Sequence, residues 1–185
     1  MTVAFLYLRV AFGLLFLVAG LLKTWDRRAF LDAVSGFRVV SERLASAVAT
    51  IIVGLELAGA GLLLTGTSAS LGATLVGLLL VAFTVGLVVN LLRGRRNLDC
   101  GCFGGRTIRI GWGHVVQNTL LMAVAVLLAR LGFRGDEPFH VADPATRVFT
   151  ILAAAYTVAA FLLTQELISV QAGLLRVLSR GVQTG

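Results

Sequence analysis

The two cysteines of this 185-residue chain lie one residue apart in the stretch "NLDCGCFGG", residues 97–105. A disulfide between Cys100 and Cys102 needs a constrained backbone, because bridged Cα atoms normally lie about 4.4–6.8 Å apart. Gly101 relieves part of that constraint. Such a bridge closes almost no loop and adds little stability, and strained bridges are easily reduced. The spacing therefore favours a reversible redox pair over a structural disulfide.

The charged residues around the pair also favour reactivity. Nearby guanidinium groups stabilise the thiolate, the reactive form of cysteine, and Asp99 partly opposes them. The arginines in question are Arg93, Arg95, Arg96, Arg106 and Arg109. A zinc site normally needs four ligands, and His114 is the one further ligand type near the pair, so we predict no metal site. Two inert reduced cysteines remain the structural alternative.

The composition is that of an integral membrane protein. The chain is 58% hydrophobic and only 14% charged, with a mean hydropathy of +0.94. Its net charge of +7 comes from basic residues that mostly lie between apolar runs, where they interact with lipid head groups. No recognition motif or continuous basic face accompanies this charge, so we predict a lipid bilayer as partner and no nucleic acid.

Five apolar runs each have about the 20 residues that a helix needs to cross a bilayer. They predict an all-α integral membrane protein, a bundle of five transmembrane helices forming a single membrane domain over residues 1–185. The predicted spans are 2–22, 44–64, 71–92, 112–131 and 148–170, with the cysteine loop at 93–111. In the connector 23–43, apolar residues at helical spacing predict an interfacial amphipathic segment, with an ordinary solvated linker as the alternative.

The distribution of arginine predicts an orientation. With five spans, the connector 23–43, the cysteine loop and the C-terminal tail share one face, and that face carries most of the basic residues. The positive-inside rule then predicts a multi-pass protein of the cell (inner or plasma) membrane, with the N-terminus outside and the cysteine loop in the cytoplasm.

Two ionisable residues lie inside the predicted spans. Arg9 in the first span and Glu56 in the second are at compatible depths if the two helices are antiparallel. Charges inside a membrane usually pair or mark a function, so we predict an Arg9–Glu56 ion pair. Such a pair either fixes the helix register or handles protons or a quinone head group.

Polar residues also flank the cysteine loop. Asn90 ends the third span, and His114 and Asn118 begin the fourth, on one helix face at i and i+4. We expect these groups to hydrogen-bond the loop or a cofactor head group, with His114 able to transfer protons. Ordinary interhelical hydrogen bonds are the alternative.

Several segments together resemble the MauE/DoxX-like family of redox-associated membrane proteins, of the methylamine-utilisation MauE type. They are "LRVAFGLLFLVAGLLKTWD", "LELAGAGLLL", "NLLRGRRNLDCGCFGG" and "HVVQNTLL", within residues 5–130. The resemblance implies a four-helix DoxX-like core plus one C-terminal helix, working with a thioredoxin-like protein. In the methylamine case it implies the maturation of a disulfide-rich periplasmic enzyme subunit. The matching residues are Arg9, Lys23, Glu56, Cys100, Cys102, Phe103, Gly104 and Asn118.

The prediction is a membrane component of a thiol–disulfide redox system, in which Cys100 and Cys102 exchange electrons with a thioredoxin-like partner. The residues predicted to shape the adjacent pocket are Asn90, Asp99, Phe103, His114 and Asn118. A quinone is a candidate electron acceptor, although the sequence shows no site for one. Two other functions stay open: a non-catalytic subunit or assembly factor that docks other proteins, including membrane subunits, and a small-solute transporter.

Overall fold

The computed structural model describes residues 3–95, 110–132 and 143–183, without the side chains of residues 42, 169 and 172–183. These ranges contain six helices and no strand. The helices are α1 (Val3–Trp25), α2 (Arg27–Gly36), α3 (Glu42–Thr65), α4 (Ala69–Leu92), α5 (Trp112–Gly132) and α6 (Pro144–Gln183). All except α2 are long and apolar enough to cross a membrane, which confirms the predicted all-α membrane fold with five spans.

The spans share one apolar core, built around α1. Residues of α1 such as Phe12 and Phe16, whose ring centroids are 4.9 Å apart, pack against buried residues of the other four spans. Leu63 of α3, Val76 of α4 and Leu128 of α5 belong to the same cluster. Most of the remaining apolar surface is exposed, as expected for helices whose outer faces contact lipid.

The connector between α1 and α3 contains the helix α2, so the amphipathic prediction is confirmed over the linker alternative. Asp26 caps α2, and its side chain accepts a hydrogen bond from the backbone of Ala29. Phe30, on the apolar face of the helix, is buried. Trp25, at the end of α1, is 93% exposed, a position typical of an aromatic anchor at the membrane interface.

Helix α6 differs from the other spans in length and packing. Its 40 residues measure about 60 Å, twice the roughly 30 Å of a bilayer core. The apolar part is Pro144–Ile168, and the helix continues to Gln183, beyond the predicted span. It packs mainly on α1, where Tyr7 donates a hydrogen bond to Thr157 at 3.0 Å. At its start, hydrogen bonds from the side chain and backbone of Thr146 lower the pKa of Asp143.

Glycines allow α3 and α4 to cross closely. A Cβ atom added at Gly72 would lie 2.8 Å from the backbone oxygen of Gly59 and 3.0 Å from Cβ of Leu62. Neither atom can move without shifting a helix, so the contact requires glycine. Gly61 lies on the same α3 helix but faces open space, with no atom within 4 Å of an added Cβ.

We predict that Gly72→Ala lowers the stability of the bundle by about 1–3 kcal/mol, because the added methyl group overpacks the helix crossing. Gly61→Ala is the matched control, since it makes the same chemical change in a helix without a steric clash. Thermal unfolding in detergent should show a lower midpoint for Gly72→Ala alone. Equal midpoints for the two variants would contradict the close crossing.

Candidate functional site

A buried ion pair joins α1 and α3. The Nζ atom of Lys23 donates to both carboxylate oxygens of Glu56, at 2.7 Å and 2.6 Å, and each side chain is 1% exposed. The same ammonium group lies 5.6 Å from the ring centroid of Phe30 and 5.3 Å from that of Phe83. The cation of Lys23 therefore contacts residues from α2, α3 and α4 at once.

The predicted pairing of Arg9 with Glu56 is wrong, because Glu56 takes Lys23 as its partner. Arg9 precedes Lys23 by fourteen residues on α1, which is about 21 Å along a helix. Its buried guanidinium group lies against Gly66, just beyond the end of α3. Lys23 matches the family but was not predicted to pair with Glu56, because the predicted first span ends at residue 22, whereas α1 continues to Trp25 and carries Lys23 into the bundle.

A small cavity of about 30 Å³ adjoins the ion pair; most of its lining is apolar, but one wall is polar, and we call it the polar cavity. Lys23 and Glu56 line it together with Gln117 and Asn118 of α5. Asn118 is only 5% exposed, and its Nδ2 atom has no hydrogen-bond partner among the described residues. The cavity is large enough for a water molecule. Asn118, predicted to lie beside the cysteine loop, thus lies beside the Lys23–Glu56 pair.

Asn90 has a different environment from Asn118. Its Nδ2 atom donates to the backbone oxygens of Phe37 and Gly86, both at 3.0 Å, and its Oδ1 atom accepts from Arg95 at 3.1 Å. The side chain is completely buried. Asn90 therefore links Phe37, in the connector, to Arg95. Arg95 is the residue before the cysteine segment, residues 96–109.

The residue that follows the cysteine segment, Ile110, is held at the same end of α4. Ile110 is buried against Leu87 and Leu91 of α4, with Phe37 and Val115 packed around them. The chain therefore leaves α4 and returns to α5 at one end of the bundle, beside the connector. Cys100, Cys102, Asp99 and Phe103 lie outside the described residues.

His114, in the first turn of α5, is partly buried, and its Nδ1 atom has no hydrogen-bond partner within the described ranges. It does not line the cavity beside Lys23. Gln117 accepts a hydrogen bond from Gln165 at 2.9 Å, which links α5 to α6. Within residues 3–95, 110–132 and 143–183, no three His, Cys, Asp or Glu side chains cluster as metal ligands.

These features define a class of protein: a multi-pass helical membrane protein with a charged, partly polar site enclosed by its spans. The family model "Methylamine utilisation protein MauE" matches residues 1–131. The chain is 35% identical to the methylamine utilization protein MauE of Paracoccus denitrificans over 141 residues, 75% of each chain. It is also 35% identical to that of Methylorubrum extorquens over 126 residues, 68% of each.

The chain belongs to the MauE family, as the resemblance predicted. The family match covers α1 to α5 and ends one residue before Gly132, so α6 lies outside it. No solved structure is significantly similar to this chain.

We predict that Lys23→Met and Glu56→Leu, made singly, each cost about 3–5 kcal/mol of stability, because each leaves a buried charge without its partner. The double variant removes both charges and should recover most of the loss. Thermal unfolding of the four proteins in detergent measures this. Single variants as stable as the parent, or a double variant with the summed losses, would contradict the mutual dependence of the pair.

Proposed function

We propose that this protein is the membrane component of a thiol–disulfide redox system that serves methylamine utilisation. The supporting observation is that both ends of the cysteine segment contact one end of α4: Arg95 hydrogen-bonds Asn90, and Ile110 packs in a buried cluster with Leu87 and Leu91. In the sequence, Cys100 and Cys102 lie between Arg95 and Ile110, in the connection from α4 to α5. The name of the relatives, methylamine utilization protein MauE, supports the connection with methylamine.

The proposed chemistry is thiol–disulfide exchange with a thioredoxin-like partner. The thiolate of one cysteine attacks a disulfide of the partner and forms a mixed disulfide, and one partner thiolate leaves. The second cysteine then attacks the mixed disulfide, so that the Cys100–Cys102 bond forms and the partner leaves as a dithiol. Two electrons pass to the partner, and the same steps in reverse order return them. His114 and Asp99 are the proposed proton-transfer and charge-balancing groups near the pair.

For the orientation we propose an N-terminus outside the cell membrane and a cytoplasmic cysteine segment. Lys23 no longer supports this assignment, because its charge is neutralised inside the bundle by Glu56. The arginines of the connector and of the cysteine segment still outnumber those near the opposite ends of the helices, which supports the assignment. The exposed face of α6, with Phe149 and Tyr156, is suited to lipid or to another membrane subunit.

Growth on methylamine tests the proposal. We expect the chain to restore methylamine growth to a Paracoccus denitrificans strain that lacks its own MauE, and we expect Cys100→Ser and Cys102→Ser each to abolish it. Growth on succinate should be unaffected. Gly61→Ala serves as the control variant, and membrane immunoblots verify equal amounts of protein.

Serine variants that grow on methylamine as well as the parent would contradict the thiol chemistry. That result would favour the docking subunit, whose cysteine segment would act as a contact surface alone. Two results together would instead indicate a transporter. The serine variants would grow on methylamine, and Glu56→Gln would not, although its protein level is normal.

A further inference from the structure

An apolar pocket of about 220 Å³ lies between α2, α3 and α4. All of its lining residues are apolar, and three are phenylalanines, whose flat rings suit a planar or branched apolar guest. The principal lining residues are Phe30, Val34, Phe37, Val48, Ile52 and Phe83. The volume is below the range of about 300–1,000 Å³ typical of sites for drug-sized ligands, so it suits one ring with a short chain.

Phe83 connects this pocket with the polar cavity beside the ion pair. Its side chain lines both spaces, with the apolar pocket on one side and Lys23, Glu56 and Asn118 on the other. The ammonium group of Lys23 lies over the rings of Phe83 and Phe30, two walls of the pocket. Phe83 is the lining residue that the two spaces share, so a single site formed from both requires its ring to move aside.

The polar end of the combined space offers hydrogen-bond donors. The Nδ2 atom of Asn118 is buried and has no acceptor within the described part of the chain. The ammonium group of Lys23 gives two of its three hydrogens to Glu56. A buried donor without an acceptor is unfavourable, so a ligand oxygen placed in this cavity would be bound there.

We infer that the α2–α3–α4 pocket and the polar cavity form one binding site for a membrane quinone. The ring and the start of its isoprenoid chain occupy the apolar pocket, and one carbonyl oxygen accepts a hydrogen bond from Asn118. A quinone carbonyl is a small acceptor that suits Asn118, whereas the head group of a phospholipid is too large for a cavity of about 30 Å³. Two acyl chains would also exceed the volume.

A quinone in this site would be the electron acceptor of the proposed redox function, and its reduction by the cysteines rests on that function. A bound quinone would take two electrons and two protons from the Cys100–Cys102 dithiol, leaving a disulfide and a quinol. Binding of the quinone itself does not require the cysteines.

The test uses the full chain with Cys100→Ser and Cys102→Ser in lipid nanodiscs. The probe is a short-chain ubiquinone with a photoreactive azide, competed by the unlabelled quinone and mapped by peptide mass. We expect saturable labelling of α2, α3 and α4. We expect Val34→Trp, which fills the pocket, and Asn118→Leu, which removes the donor, each to raise the apparent Kd at least tenfold.

Leu78→Trp is the matched control, because it adds the same side chain at an exposed position on α4. Labelling that is not competed, or that is equal in Val34→Trp and Leu78→Trp, would show only partition into the bilayer and would overturn the inference. Unchanged affinity in Asn118→Leu would contradict the carbonyl contact. Because the probe is measured without cysteines, these results are independent of whether the serine variants grow on methylamine.

Discussion

The ion pair between Lys23 and Glu56 constrains the rest of the bundle. A charge inside a membrane protein is tolerated only with a partner, so α1 and α3 must meet in the one register that brings these two side chains together. Phe30 of α2 and Phe83 of α4 lie beneath the same ammonium group. A single cation on α1 therefore contacts residues of three other helices, α2, α3 and α4.

Much of this architecture follows from the sequence, because a bilayer imposes simple demands of length and apolarity. The five spans and the amphipathic α2 are predicted on those grounds and are present. The partner of Glu56 could not be predicted in the same way. It depends on the exact end of α1 and on the relative depth of two helices, and an error of three residues in that end leaves Lys23 in the connector instead of the bundle.

The environments of Asn90 and Asn118 also could not be predicted from the sequence. Asn90 and Asn118 both lie near the predicted cysteine loop in sequence, and the prediction placed them in one pocket. In the structure Asn90 fixes the connector to Arg95, whereas Asn118, six residues into α5, faces the ion pair. Six residues are about 9 Å along a helix, enough to separate the membrane boundary from the interior. Periodicity identifies a helix face, but tertiary packing decides the contact at each depth.

The proposed function depends on Cys100 and Cys102 forming a redox pair on the cytoplasmic side. The most direct measurement is labelling with a membrane-impermeant maleimide in intact and in opened cells, before and after reduction, with adducts counted by mass. We expect no adduct in intact cells and, in opened cells, two additional adducts on part of the protein after reduction. Adducts in intact cells would contradict the orientation. Two adducts on every molecule without reduction, under all growth conditions, would contradict the redox pair itself.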